Sequence, residues 1–149
     1  MSTNSVSLHR VLKASPEKVF KAFTEARFMA AWFPPYGFTC TIEEMNAVTG
    51  GNYRMTFHNF TTDSRQSFGG EYLEIKAPNL IKLSDRFDDP NLPGEMTTTI
   101  QLEKVSVGTS LSILQEGIPA VIPAESCYLG WQECLEKLAK LVEPVIEEG

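Results

Sequence analysis

The sequence predicts an α+β domain in which one curved antiparallel sheet wraps around a long C-terminal helix, with two short helices after the first strand. Two observations carry this. From Pro123 to Glu143, Cys127, Tyr128, Trp131, Cys134, Leu135, Leu138 and Val142 recur at three- and four-residue spacings along one stripe, as in an amphipathic helix. Ahead of it, six strand-like segments are separated by short turn-forming connectors, which implies antiparallel neighbours. At 1.5 Å per residue the helix is about 30 Å long, more than a flat sheet of a small domain covers, so the sheet must bend around it.

Taken in order, Val6 to Leu12 alternates Val6, Leu8 and Leu12 against Ser7 and His9, a short strand with His9 toward solvent. Ser15-Pro16-Glu17 starts a helix: Ser caps, Pro fits the first helical position, and Glu complements the positive end of the dipole. Val19, Phe20 and Phe23 follow at helical spacing. A second helix around Arg27 to Trp32 ends before Pro34-Pro35-Tyr36-Gly37. The strands then run Thr39 to Met45, Asn52 to Asn59, Ser67 to Ile75, Leu80 to Phe87, Glu95 to Lys104 and Thr109 to Glu116. Gly69-Gly70 predicts a bulge or sharp bend, and the clash of phase between Phe68 with Tyr72 and Leu73 with Ile75 leaves that strand's inner face unassigned. In the last helix, Glu133 with Lys137 and Glu136 with Lys140 stand four apart on the solvated face. Gly130 interrupts the stripe and implies close approach by backbone or ligand.

The chain of 149 residues is 42% hydrophobic, with nine Phe, four Tyr and two Trp, enough for one domain with a sizeable core over about residues 5–144. A net charge of −6 without a basic run argues against nucleic acid or an anionic membrane as partner. No apolar stretch is long enough to span a bilayer and Met1 to Asn4 has no signal core, so a cytoplasmic protein without membrane insertion is expected. Cys40, Cys127 and Cys134 match no metal or disulfide spacing and read as reduced thiols. The sequence also lacks a nucleophile elbow, a phosphate-binding glycine loop and a His or Cys pair at metal spacing, so no metal or cofactor is expected.

Several motifs together carry a family resemblance. Ala14-Ser15-Pro16-Glu17-Lys18-Val19-Phe20-Lys21-Ala22-Phe23-Thr24, Trp32-Phe33, Gly50-Gly51-Asn52-Tyr53-Arg54-Met55, Tyr72-Leu73-Glu74-Ile75 and Gly130-Trp131 with Leu135 and Leu138 resemble the activator of heat-shock protein 90 ATPase homologue-like family. That family belongs to the START-like, helix-grip superfamily, whose fold is also that of birch-pollen allergens. The resemblance spans nearly the whole chain and implies a single START-like domain, residues 1–149, with an apolar cavity between sheet and terminal helix. In the superfamily such cavities receive lipids, polyketides or other hydrophobic molecules. One departure matters: the eukaryotic chaperone activators carry a separate N-terminal chaperone-binding domain, for which this sequence has no room.

Strand phase selects the cavity residues, because side chains alternate at period two. The expected lining is Trp32, Phe33, Phe38, Met55, Phe57, Leu83, Phe87, Tyr128 and Trp131, with Asp85 as the polar member. Asp85 shares a phase with Ile81, Leu83 and Phe87, and has two readings. It is either a ligand anchor or general base on the apolar face, or a strand-end acid paired with Arg86, Arg54 or solvent. Gln115 follows Leu111 and Ile113 in phase and offers an amide to a ligand or to a hydrogen bond at the sheet end. His58, a lone histidine at a strand end, reads as exposed. No catalytic residue is assigned beyond Asp85. The leading expectation is binding of a small hydrophobic ligand; the alternatives are a module that binds and activates a heat-shock protein 90 ATPase, and a cofactor-independent cyclase or hydrolase-like enzyme.

Overall fold

A computed structural model describes residues 3–147. Its elements are β1 (Thr3–Leu12), α1 (Pro16–Thr24), α2 (Ala26–Trp32), β2 (Phe38–Met45), β3 (Asn52–Asn59), β4 (Arg65–Lys76), β5 (Leu80–Phe87), β6 (Met96–Val105), β7 (Gly108–Pro119) and α3 (Ala124–Val142). The strands form one seven-stranded antiparallel sheet in the order β1-β7-β6-β5-β4-β3-β2. From β2 to β7 each strand pairs with its successor, whereas β1 returns to the far edge beside β7. α3 packs on the concave face, giving the expected α+β helix-grip fold.

Local chemistry explains the helices. Ser15 caps α1 by accepting from the Lys18 N–H at 3.2 Å, and Pro16, Val19, Ala22 and Phe23 turn inward. α3 buries Trp131, Cys134, Leu135, Leu138, Ala139 and Val142, close to the expected stripe. Tyr128 is the exception, at 41% exposed. The charged face of α3 finds its partners off the helix. Glu136 pairs with Arg10 at 3.3 Å, the Glu133 carboxylate accepts from the Tyr36 N–H at 3.1 Å, and Lys137 donates to the Pro34 carbonyl at 2.8 Å. Together with Cys134 Sγ, which donates to the Phe33 carbonyl at 2.8 Å, the Glu133 and Lys137 contacts tie the Pro34-Pro35-Tyr36 turn to α3, while Glu136 ties the helix to β1. Three of the four charges expected to pair within the helix, Glu133, Glu136 and Lys137, serve tertiary anchoring instead.

The bend in the sheet has two parts. Register slips between Tyr72 and Glu74, so Phe68 and Tyr72 are buried before the slip, while Ile75 sits opposite the buried Ile81 after it. The conflict of phase in this strand is therefore real, and its cause lies near Leu73 rather than at the glycines. The glycine pair has a different job. The β4–β5 ladder opens between the Gly69/Arg86 and Tyr72/Leu83 pairs, and the Ser84 hydroxyl accepts from the Glu71 N–H at 3.0 Å in that gap. A Cβ on Gly70 would stand 1.8 Å from the Ser84 carbonyl oxygen, a backbone contact that admits no side chain.

Candidate ligand-binding cavity

The inward faces of β2 to β7, together with α1, α2 and α3, line a cavity of about 340 Å³. Its wall is aromatic on one side: Phe57 packs edge-on against Phe68 with ring centres 4.9 Å apart, and Phe33 stands 5.7 Å from Trp131. Exposed Gln66 and Ser126 mark where the lining meets solvent. Gly130 also lines the space, and a Cβ there would meet nothing within 4 Å, so this glycine keeps room in the cavity without a close backbone approach.

Of the residues expected from strand phase and helix spacing, Phe33, Phe38, Met55, Phe57, Leu83, Asp85, Phe87 and Trp131 line the cavity. Trp32 and Tyr128 do not. Successive helical residues point about 100° apart, so Phe33 at the end of α2 reaches the cavity while Trp32 turns into the seam between α1 and α2. There its indole N–H donates to the Ala22 carbonyl at 2.8 Å, satisfying an acceptor near the end of α1. Tyr128 lies on the flank of the α3 stripe, in a shallow groove with Ser5, Val6 and Leu129 outside the cavity. Tyr53, Phe68 and Tyr72 complete the wall from β3 and β4.

A polar stripe crosses this apolar surface. The Trp131 indole N–H donates to Gln115 Oε1 at 3.1 Å, Gln115 Nε2 donates to Thr98 Oγ1 at 3.4 Å, and Thr98 donates to Asp85 Oδ2 at 2.9 Å. Thr98 and Gln115 are direct cross-strand partners on β6 and β7, and Asp85 lies diagonally across β5, where Leu83 is the partner of Thr98. An indole is a donor only. Trp131 therefore turns the carbonyl of Gln115 toward itself and the amide toward Thr98, which leaves the Thr98 hydrogen to point at Asp85. Gln115 had been legible as an inward residue. Thr98 was missed, although it alternates with Met96, Ile100 and Leu102 on β6 as Asp85 does with its apolar neighbours on β5, a signal present in the sequence.

Asp85 is buried and faces the cavity, and neither candidate arginine reaches it. Arg54 pairs with Asp88, and Arg86 with Glu95 at 3.4 Å, both on the outer surface. Burial pushes the Asp85 carboxyl up to about 7, partly offset by the Thr98 hydrogen bond that favours its charged form. Among the described residues lining the cavity, Asp85 is the one Asp, Glu, Lys, Arg or His. Burial also raises the Tyr72 hydroxyl, the Cys127 thiol and the Cys134 thiol, the last to about 12, so these remain neutral near pH 7. His58 lies at the sheet surface, 3.3 Å from the Thr41 hydroxyl, and takes no part. Among the described residues no group of three or more His, Cys, Asp or Glu could hold a metal, and no helix is long and apolar enough to cross a membrane.

Comparison with known proteins agrees with this architecture. A crystal structure of a Chromobacterium violaceum protein is 51% identical, with a TM-score of 0.94 over 95% of this chain and 99% of that one. A Rhodobacter sphaeroides protein at 21% identity superposes with a TM-score of 0.84 over 98% of this chain and 97% of its own. An Aeromonas hydrophila protein described as AHSA1-like, 19% identical, does so with a TM-score of 0.76 over 94% and 92%. The latter two likenesses show the fold. No curated protein matches the sequence significantly. The family model for activator of Hsp90 ATPase homolog 1-like proteins matches residues 13–143, from the end of β1 through the whole of α3, and the chain belongs to that family.

Proposed function

We propose that this domain binds a small, largely apolar molecule in the cavity beneath α3, with Asp85 as its polar anchor. The observation that carries the reading is a preformed apolar space of about 340 Å³ crossed by a single polar stripe. Ligand sites are commonly of this kind, a few hundred Å³ of apolar wall with a small number of placed polar groups that orient the guest. Eight residues support binding here: Phe33, Phe38, Met55, Phe57, Leu83, Phe87 and Trp131 as wall, and Asp85 as anchor. Three free cysteines accord with a reducing, cytoplasmic setting.

A thermal-shift screen of fatty acids, isoprenoids and aromatic polyketides tests this. A true ligand stabilises by roughly 2.7 kcal/mol at a hundredfold excess over its Kd. Its effect should shrink when Trp131→Ala removes one wall of the cavity. The reading fails if no hit depends on Trp131 while the purified domain binds a chaperone and stimulates its ATPase, the activity named in the family description. A general acid or base role for Asp85 is the second reading, favoured by a carboxyl pushed up to about 7, where it can exchange a proton at neutral pH.

A further inference from the structure

Three features of the polar stripe narrow the chemistry of the guest. First, the donors all run one way, from Trp131 through Gln115 and Thr98 to Asp85, so the stripe delivers hydrogen to Oδ2 and ends there. Among the described residues Oδ1 has no hydrogen-bond partner, yet it is not sealed away, since no buried side-chain oxygen lacks a partner. Oδ1 is therefore open to the cavity. Second, among the described residues no cationic side chain reaches this carboxyl. Arg86, the next residue on β5, points outward to Glu95, and Arg54 on β3 is held by Asp88. Third, the walls around Asp85 include Phe57, Phe68, Phe87 and Trp131, whose ring faces attract positive charge.

We propose that the cavity selects a lipophilic amine, its ammonium group seated on Asp85 Oδ1 and its apolar body against the aromatic wall. This rests on the proposal that the cavity binds an apolar molecule, and deepens it. A buried carboxylate without a counter-ion is costly, and a cation brought by the ligand offsets that cost in a way an alcohol cannot, while a carboxylate ligand adds repulsion. The net charge of −6 favours the approach of a cation as well. The other titratable groups facing the space are Tyr53 from β3, Tyr72 from β4 and Cys127 and Cys134 from α3. With the Tyr72 hydroxyl and both thiols held neutral by burial, the affinity for an amine should follow the ionisation of Asp85, rising with pH through about 7.

The test uses three probes with one apolar body, 4-phenylbutylamine, 4-phenylbutanol and 4-phenylbutyrate, titrated calorimetrically into the full chain at pH 5.5 and pH 8. At pH 8 the amine should bind about tenfold tighter than the alcohol, a difference of about 1.4 kcal/mol, with the acid weakest. At pH 5.5 the ratio of amine to alcohol should collapse toward one. Asp85→Asn should bring the ratio to about one at both pH values, whereas Glu103→Gln, on the exposed face of β6, should keep it. The pH series on the unaltered chain decides the matter even if a variant fails to fold. If amine and alcohol bind equally at pH 8, or the ratio survives in Asp85→Asn, the amine inference is overturned and the apolar cavity reading stands. Failure of all three probes to bind overturns both.

Discussion

The Tyr53 hydroxyl donates to the Ser84 carbonyl at 3.0 Å, reaching from β3 past the whole width of β4. It can do so because its cross-strand partner on β4 is Gly70, which puts no side chain in the way. The ring of Tyr53 covers the glycine, as aromatic residues do where a sheet is made to curve. This contact joins three strands at the point where the ladder opens, one residue from Asp85.

Gly70→Ala should therefore be among the most damaging small substitutions in the chain. Its Cβ would meet the Ser84 carbonyl oxygen at 1.8 Å, and neither backbone can move without disturbing Tyr53 and Asp85. Urea denaturation should show a loss of about 2 kcal/mol or more. By contrast Gly130→Ala, facing open space in the cavity, should be stable and should weaken binding of any guest by occupying its room.

Asp85→Asn should change the dependence of stability on pH. The carboxyl ordinarily titrates near 3.8 and is pushed up to about 7 in the folded chain, so the native state holds a proton that the unfolded state has already released. Between those values stability falls as pH rises. The penalty is absent below about pH 4 and complete above about pH 7. Asp85→Asn removes it, and should exceed the unaltered chain in stability by a few kcal/mol, as an order of magnitude, at pH 8. The two should converge near pH 4, apart from the small difference between an amide and a neutral acid. Equal urea midpoints at pH 8 would show that Asp85 carries no such penalty.

Trp131→Phe keeps much of the wall and removes the donor that orients the polar stripe. Loss of the hydrogen bond to Gln115 should cost about 1 kcal/mol. The sharper readout is the Asp85 carboxyl in an NMR titration. With Gln115 free to turn, Thr98 is no longer committed to donating, and the Asp85 titration should move further upward. An unmoved titration would separate the indole from any role in organising the carboxyl.

Glu133→Ala should release the turn that carries Pro35 toward the cavity. The Tyr36 N–H, which now donates to Glu133 at 3.1 Å, should exchange with solvent roughly fivefold faster. Lys137→Ala, which frees the Pro34 carbonyl, should act on the same turn. Unchanged exchange in both variants would mean that the turn is held by Phe33 and its neighbours alone.

Periodicity, capping and turn chemistry determined the helices and strands of this protein, because each is written in a short stretch of chain and the spacing of apolar residues records which side of each element is dry. The α3 stripe, the capped start of α1 and the inward phase of Asp85 on β5 are all local signals of that kind. Tertiary structure decided what those signals could not contain. Trp32 and Phe33 are adjacent aromatic residues with the same local preference, and only the placement of α1 sends one to cap a carbonyl and the other to the cavity. Tyr128 meets the helical spacing, but its flank faces the groove beside β1 rather than the cavity, and it stays exposed. The slip at Leu73 inverts the phase of β4 and depends on its pairing with β5. Asp85, Thr98, Gln115 and Trp131 come from four elements, and their common direction of hydrogen bonding exists only once α3 is seated on the sheet. Burial is written residue by residue along a chain, whereas the partner of a buried polar group is chosen by contacts between residues far apart in sequence.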